Sequence, residues 1–266
     1  MIKILDFILR MKIYNKFHSF LGKKIFKFSK IFFVETNYNK LPLINHPLDL
    51  NYGVELKKYK RTLSSDDAPF ISYSHLHDLL KMTDTYKKKR INFLDFGAGS
   101  LELFAYLSKK FKKIKYFYND QEKYNYLVNN IRKNEKLKRL KILNDFKNNK
   151  EKFDYVYFGG SLQYILDYKN SLDKIFKKSK FILISQSPFY FNKDNKKEIV
   201  LKQLNLSHNI NYLYVINFYE FIKFMKRNKF FLVSKNYNRV IKFLNFKNLR
   251  KKYKNIDMYD LLFEKK

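Results

Sequence analysis

Two short stretches hold four of the six glycines of this 266-residue chain. They are LDFGAGS, residues 94–100, and FGGSLQY, residues 158–164, and each continues from an apolar run. Glycine is needed where the backbone takes a positive φ or lets another group come close. A helix that starts near Ser100 would offer free N–H groups to an anion. These residues could therefore hold a bound molecule against the main chain and position a reactant beside it.

The elements that must position these loops are predicted from the apolar pattern. From Ile91 onward, short apolar runs alternate with helical spacings such as Leu103, Phe104 and Leu107. This alternation predicts a doubly wound α/β domain with a Rossmann-like, mostly parallel sheet, and we expect its last strand, MYDLLFE, to be antiparallel. Two further runs after Pro188, residues 198–204 and 211–217, are expected to pair as a hairpin.

The chain divides into a basic N-terminal extension, residues 1–70, and an α/β domain, residues 71–266. The segment MIKILDFILRMK is amphipathic, so it can contact an anionic membrane surface or pack on its own domain. Asp6 interrupts its apolar run, which argues against a signal peptide. No stretch approaches the ~20 apolar residues of a membrane span. We expect a cytoplasmic protein, and peripheral contact with the inner membrane stays open.

The composition limits the chemistry. The net charge of +32 comes from 56 Lys and Arg against 24 Asp and Glu. An A/T-rich genome would produce this Lys excess without any acidic partner, so we expect no specific nucleic-acid partner. The absence of Cys excludes disulfides, thiolate metal sites and a cysteine nucleophile. The five His show no metal-binding spacing, and no metal is expected.

The first glycine loop fits one of two cofactor patterns. In the dinucleotide pattern GxGxxG, the third glycine would fall on Glu102, whose charge repels a pyrophosphate. The alternative pattern, DxGxG, places Asp95 two residues before Gly97 and is completed by Gly99. This second pattern is typical of proteins that bind S-adenosylmethionine (SAM), and it favours a SAM-binding loop.

LDFGAGS resembles the first motif of class I SAM-dependent methyltransferases. The run FDYVYFGGSLQYILDYKNSL, with ILISQSPF after it, is similar to a methyltransferase family linked to surface-polysaccharide synthesis. The resemblance covers about residues 90–264, but Leu101 replaces a frequent third glycine and Ala98 replaces another. It implies a SAM site whose residues are Asp95, Gly97, Gly99, Asn119 or Asp120 at the ribose, Asp145 at the adenine, and Gly159.

Several of these residues also have an ordinary structural explanation. Asp95 could cap a helix or a turn, Asp120 and Asp145 could be strand-end turn residues, and Gly159 and Gly160 could serve a tight turn. The order of the set along the chain favours the cofactor interpretation over these alternatives.

The methyl acceptor is constrained by what the second loop lacks. It has neither the Asn/Asp-Pro-Pro-aromatic motif of amine methylation nor the Cys of pyrimidine C5 methylation. A hydroxyl of a small molecule or glycan is therefore the expected acceptor. The candidate acceptor-side residues are Ser161, Gln163, Tyr164 and His208, the last as a proton acceptor on the hairpin. Two alternatives remain, a binding or scaffold protein that has lost catalysis and a basic nucleic-acid methyltransferase.

Overall fold

The computed structural model describes the α/β domain and parts of the segment before it. The described residues are 31–36, 38, 40–42, 51–65, 76, 80, 81, 83, 87, 90–146, 148–194, 197–205, 210–238 and 256–266. The amphipathic N-terminal segment and His208 lie outside them. Among the described residues, no helix is long and apolar enough to cross a membrane.

Ten strands and five α-helices make up the described part of the chain. The strands are β1 (Ile31–Glu35), β2 (Ile91–Phe96), β3 (Ile114–Asn119), β4 (Leu140–Ile142), β5 (Phe153–Gly159), β6 (Ser179–Tyr190), β7 (Ile199–Asn205), β8 (Ile210–Asn217), β9 (Phe230–Tyr237) and β10 (Asp257–Lys265). The helices are α1 (Tyr52–Ser64), α2 (Glu102–Lys110), α3 (Glu122–Asn134), α4 (Tyr168–Phe176) and α5 (Phe218–Arg227).

The main sheet has the order β4–β3–β2–β5–β6–β10–β9. The five strands from β4 to β6 are parallel, and β10 runs antiparallel to both of its neighbours. The predicted doubly wound, mostly parallel sheet with an antiparallel last strand is thereby confirmed. In such a sheet the loops after β2, β3 and β5 meet at one edge, the carboxyl edge, where ligands bind.

Each face of the sheet is covered by helices because the strand side chains alternate between two cores. Phe93, Tyr116 and Tyr155 are register partners that face the first core, which also receives buried residues of α1, α2 and α3. Their chain neighbours Leu94 and Phe117 face the second core, packed by α4 and α5. Burying one such side chain contributes ~1.5–3 kcal/mol to the free energy of folding. A shift of one residue along a strand would turn these side chains to the wrong face, so the alternation determines which residues lie at the carboxyl edge.

The hairpin is also confirmed, because β7 and β8 pair antiparallel along their length. β6 is long enough to pass beyond the end of β5, and its last residues Phe189 and Tyr190 pair with β8. The hairpin therefore stands beside the loop that follows β5, on the carboxyl side of the sheet.

Two elements in the predicted N-terminal extension did not follow from the pattern. β1 pairs antiparallel with β7, and α1 packs against α2, where Tyr59 stacks on Phe104. The signal for α1 was present, because the Asn51 side chain accepts a hydrogen bond from Val54 N–H at 3.1 Å, as expected of an N-cap. The domain boundary near residue 70 stays a prediction.

Candidate active site

The loop after β2 turns back on the end of β3. The N–H groups of Gly97 and Ala98 donate to the Asn119 carbonyl, at 2.8 and 3.2 Å. Gly97 has φ +72°, and a Cβ there would lie 2.5 Å from the Ser161 Cβ. Only glycine permits both the conformation and this approach, and so Gly97 brings the first glycine loop against the second.

Ser161 stabilises the same contact between the two glycine loops. Its hydroxyl donates to the Phe96 carbonyl at 2.6 Å, which ties the segment after β5 to the end of β2. Its hydroxyl proton is therefore engaged within the protein. In this arrangement Ser161 joins the two loops of the site.

Gly99, unlike Gly97, has open space beside its α-carbon. It has φ +67°, but a Cβ built there would meet no atom within 4 Å. Its N–H donates to Asp120 Oδ2 at 2.6 Å, and its carbonyl accepts from the Tyr118 hydroxyl at 2.8 Å. The backbone at Gly99 is thus held from one side, and the other side is open space that a ligand can occupy.

Of the two neighbouring candidates at the end of β3, Asp120 is the one whose side chain contacts the glycine loop. Its carboxylate also accepts from Gln121 N–H at 2.7 Å. The Asn119 side-chain amide instead donates to the Leu143 carbonyl at 2.7 Å and supports the next loop. Burial raises the pKa of Asp120, and the N–H groups of Gly99 and Gln121 lower it in part.

Asp95 is buried directly beneath the loop, with 2% of its surface exposed. Its carboxylate accepts a hydrogen bond from the Tyr116 hydroxyl of β3. Burial raises the pKa of Asp95 to about 7, the Tyr116 bond lowers it, and the charge of Asp120 adds to the rise. Asp95 is therefore poised between its neutral and charged forms near neutral pH.

The segment after β5 is held by a buried amide. Gln163, 3% exposed, donates to the carbonyls of Gly160 and Gln186 at 2.9 and 3.3 Å and accepts from the Ser187 hydroxyl at 3.0 Å. Through these bonds the Gln163 side chain connects the short 3₁₀ helix Leu162–Tyr164 to β6. Gln163 thus positions the backbone of the loop.

Tyr164 connects the same loop to the hairpin. Its hydroxyl donates to Gln203 Oε1 of β7 at 2.7 Å, while 41% of the residue is exposed. Desolvation of the hydroxyl raises the pKa of Tyr164 to about 12, so it stays protonated at neutral pH and can act as a hydrogen-bond donor but not as a base.

The remaining predicted residues are placed as follows. Asp145 is exposed and accepts from the Asn148 backbone and side-chain amides, at 3.3 and 2.5 Å, within a turn after β4. Gly159 is exposed at the end of β5, where a Cβ would lie 2.5 Å from the Tyr157 ring. Asp95, Gly97, Gly99, Asp120 and Ser161 are brought together by the contacts above.

Two residues of this region were not predicted, Gln186 of β6 and Asp260 of β10. Asp260 is 3% exposed and accepts hydrogen bonds from Ser185 Oγ at 2.5 Å and Gln186 N–H at 3.0 Å. An acid inside the apolar run MYDLLFE was a usable signal, because a buried carboxylate must be paired. No sequence signal marked Gln186.

No group of three or more His, Asp or Glu in the described part of the chain is arranged to hold a metal ion. The polar groups at the carboxyl edge are instead backbone N–H donors, carboxylate acceptors and neutral amides. Such a set suits an organic ligand that carries both hydroxyl groups and a positive charge.

The sequence matches no protein-family model and no curated protein. The fold, however, is similar to solved structures of SAM-dependent methyltransferases. A Galdieria sulphuraria protein described as a sarcosine dimethylglycine methyltransferase has a TM-score of 0.51 at 11% identity, covering 73% of this chain and 84% of its own.

Two more structures are similar at the same level. A protein from Listeria monocytogenes described as a SAM-dependent methyltransferase has a TM-score of 0.50 at 13% identity, covering 73% of this chain and 99% of its own. The N-terminal domain of EvdMO1 with SAH bound has a TM-score of 0.50 at 8% identity, covering 82% and 98%. This chain thus has the Rossmann-like methyltransferase fold.

Proposed function

We propose that this protein is a SAM-dependent methyltransferase that acts on a hydroxyl group of a small molecule or glycan. The observation that carries the proposal is the contact of the Asp120 carboxylate with Gly99 N–H, 2.6 Å, at the carboxyl edge of a methyltransferase-type sheet. A dinucleotide site would place a glycine at residue 102, where this chain has a buried Glu that pairs with Arg61.

The residues fit SAM in chemical terms. The open side of Gly99 leaves room for a ligand against the backbone, Asp120 can accept ribose hydroxyls, and the buried Asp95 favours a positive charge nearby. When bound, SAM supplies an activated methyl group on a sulfonium. The protein's part is to align an acceptor oxygen with that methyl, and such positioning can contribute ~7–11 kcal/mol to the lowering of the barrier.

The acceptor side is formed by the loop after β5 and the hairpin. Tyr164 donates its hydroxyl proton to Gln203 of β7, so its oxygen can accept a hydrogen bond from a hydroxyl of the acceptor. A glycan acceptor is supported by the resemblance of residues 153–172 and 182–189 to the polysaccharide-linked methyltransferases. A cytoplasmic enzyme that touches an anionic membrane through its basic N-terminus would meet such an acceptor during its synthesis.

The test of cofactor binding is a calorimetric titration of SAM. We expect Asp120→Ala to weaken SAM binding about 10- to 100-fold with the fold intact, because a charged hydrogen bond is worth ~1.5–3 kcal/mol. Asp173→Ala removes an exposed acid of α4 and serves as the matched control. Wild-type affinity in Asp120→Ala would contradict the assignment and move the ribose contact to Asn119.

The test of the reaction is methyl transfer from SAM to glucose, UDP-glucose and catechol. Transfer to any of these supports a hydroxyl acceptor. Tight SAM binding without transfer favours the protein that has lost catalysis, and salt-steep binding of RNA favours the nucleic-acid methyltransferase.

Tyr164→Phe separates the acceptor side from the cofactor side. The substitution removes the hydroxyl that bonds Gln203, so we expect an at least tenfold lower catalytic rate, about 1.4 kcal/mol, with SAM affinity unchanged. Tyr126→Phe, on the 70% exposed Tyr126 of α3, is the control. A normal rate in Tyr164→Phe would place the acceptor away from this loop.

A further inference from the structure

Gln186 has an unusual backbone conformation for its place in the fold. Among the described residues, Lys136, Gln186 and Lys229 are the non-glycine residues with positive φ, at 51°, 55° and 64°. The two lysines are exposed and follow the ends of α3 and α5, where such a residue is common. Gln186 instead lies inside β6, at the carboxyl edge, where the register between β6 and β10 shifts at a β-bulge. A left-handed conformation at such a bulge usually falls on glycine and is unfavourable for glutamine.

Buried groups hold Gln186 in this conformation from both sides. Its N–H donates to Asp260 Oδ1 at 3.0 Å, and its carbonyl accepts from Gln163 Nε2 at 3.3 Å. Asp260 is itself fixed, because Asn238 Nδ2 donates to both carboxylate oxygens, at 2.8 and 3.0 Å. Asp260 and Gln163 are thus positioning residues for Gln186.

The side chain of Gln186 is directed to the loop after β5. Its Oε1 lies 3.4 Å from the place that a Cβ of Gly160 would take. The residue is half-buried, and its side-chain amide makes no hydrogen bond with any part of the chain that the structure describes. Asp260 and Gln163 therefore hold an unfavourable backbone conformation that leaves an unpaired amide at the candidate active site.

We propose that Gln186 binds the methyl acceptor and helps to determine which acceptor is accepted. The inference rests on the proposed function. A primary amide both donates and accepts, as a hydroxyl does, so Gln186 fits a neutral polyhydroxylated acceptor and has no charge to pair with a phosphate or carboxylate at that point. The unfavourable backbone conformation of Gln186 is what directs this amide towards the acceptor.

Gln186→Gly is the direct test, because glycine accepts the left-handed conformation and removes the amide. We expect a melting temperature about 2–4 °C higher, since the strain is relieved, and a SAM affinity equal to wild type. The value of kcat/KM for glucose, UDP-glucose or catechol, whichever wild type methylates best, should fall at least about tenfold. Gln186→Asn, which tolerates a positive φ and keeps a shorter amide, should retain more of that activity.

Lys229→Gly is the matched control, because it relieves the same kind of strain at an exposed turn far along the chain from the loop after β5. It should raise the melting temperature similarly and leave kcat/KM unchanged. Normal kcat/KM in Gln186→Gly would overturn the proposal, and so would a melting temperature that does not rise. If wild type binds SAM but methylates none of the three probes, the proposed hydroxyl acceptor itself fails, and the role of Gln186 fails with it.

Discussion

Gly99→Val is expected to abolish SAM binding, with at least a 100-fold loss of affinity, while the circular dichroism spectrum stays close to that of wild type. The reason is that a side chain at Gly99 meets no atom within 4 Å of its Cβ and points into open space at the carboxyl edge. The substituted protein can therefore fold, and the branched side chain fills the volume that SAM would need. Calorimetric titration with SAM measures the loss.

The alternative explanation for such a loss is backbone strain at φ +67°. Gly99→Asn separates the two causes, because Asn tolerates a left-handed conformation but also projects a side chain. If occupied space is the cause, Asn should also weaken SAM binding strongly. If Asn binds SAM normally, strain is the cause, and if Val binds SAM normally, the loop is not the cofactor site.

Asp95→Asn is expected to increase the stability of the folded protein above neutral pH and to weaken the binding of SAM. Burial raises the pKa of Asp95 from 3.8 to about 7, so the folded protein binds this proton more tightly than the unfolded chain. The contribution of Asp95 to stability is therefore fully present below about pH 4, falls as the pH rises, and is lost above about pH 7. At pH 8 the Asn variant should be more stable by ~1–3 kcal/mol, a gain limited by the unpaired amide N–H groups.

SAM binding should change the other way. SAM carries a positive sulfonium, and ionised Asp95 favours a cation near the loop, so Asp95→Asn should weaken SAM binding at least about tenfold. In wild type, affinity should rise between pH 6 and 8, and binding should release protons, measured by calorimetry in buffers of different ionisation enthalpy. Asp173→Asn, an exposed residue with the same charge change, is the control. A pH-independent SAM affinity would remove Asp95 from the cofactor site.

Much of the fold followed from local pattern. Short apolar runs and helical spacings alternate from residue 91 onward. Right-handed crossovers leave few ways to arrange these elements, so the sheet, the hairpin and the antiparallel β10 could be predicted. α1 was missed because Lys and Arg separate its apolar residues. β1 was missed because its apolar run has only four residues and its partner strand β7 is far along the chain.

The candidate site could be predicted in part. The glycines had to be glycine for a local backbone reason, and the order of acids after successive strands placed Asp95 and Asp120 at one edge. Which of Asn119 and Asp120 faces the loop was undecided, because the choice depends on the Leu143 carbonyl that holds the Asn119 amide. The orientation of Gln163 was equally hidden, since its partners Gln186 and Ser187 belong to another strand.

The sequence by itself therefore determined the methyltransferase-like fold, the glycine loop and the acids beside it, since strand periodicity, helix spacing and glycine conformation are local properties of the chain. Only the tertiary structure decided which polar side chains form hydrogen bonds within the protein and which stay available to a ligand. Ser161 and Gln163 donate hydrogen bonds to backbone carbonyls of the site. The side-chain amide of Gln186 stays unpaired, and Asp260, 74 residues away, holds the Gln186 backbone. Hydrogen bonds between distant segments set that division, and no local pattern encodes them.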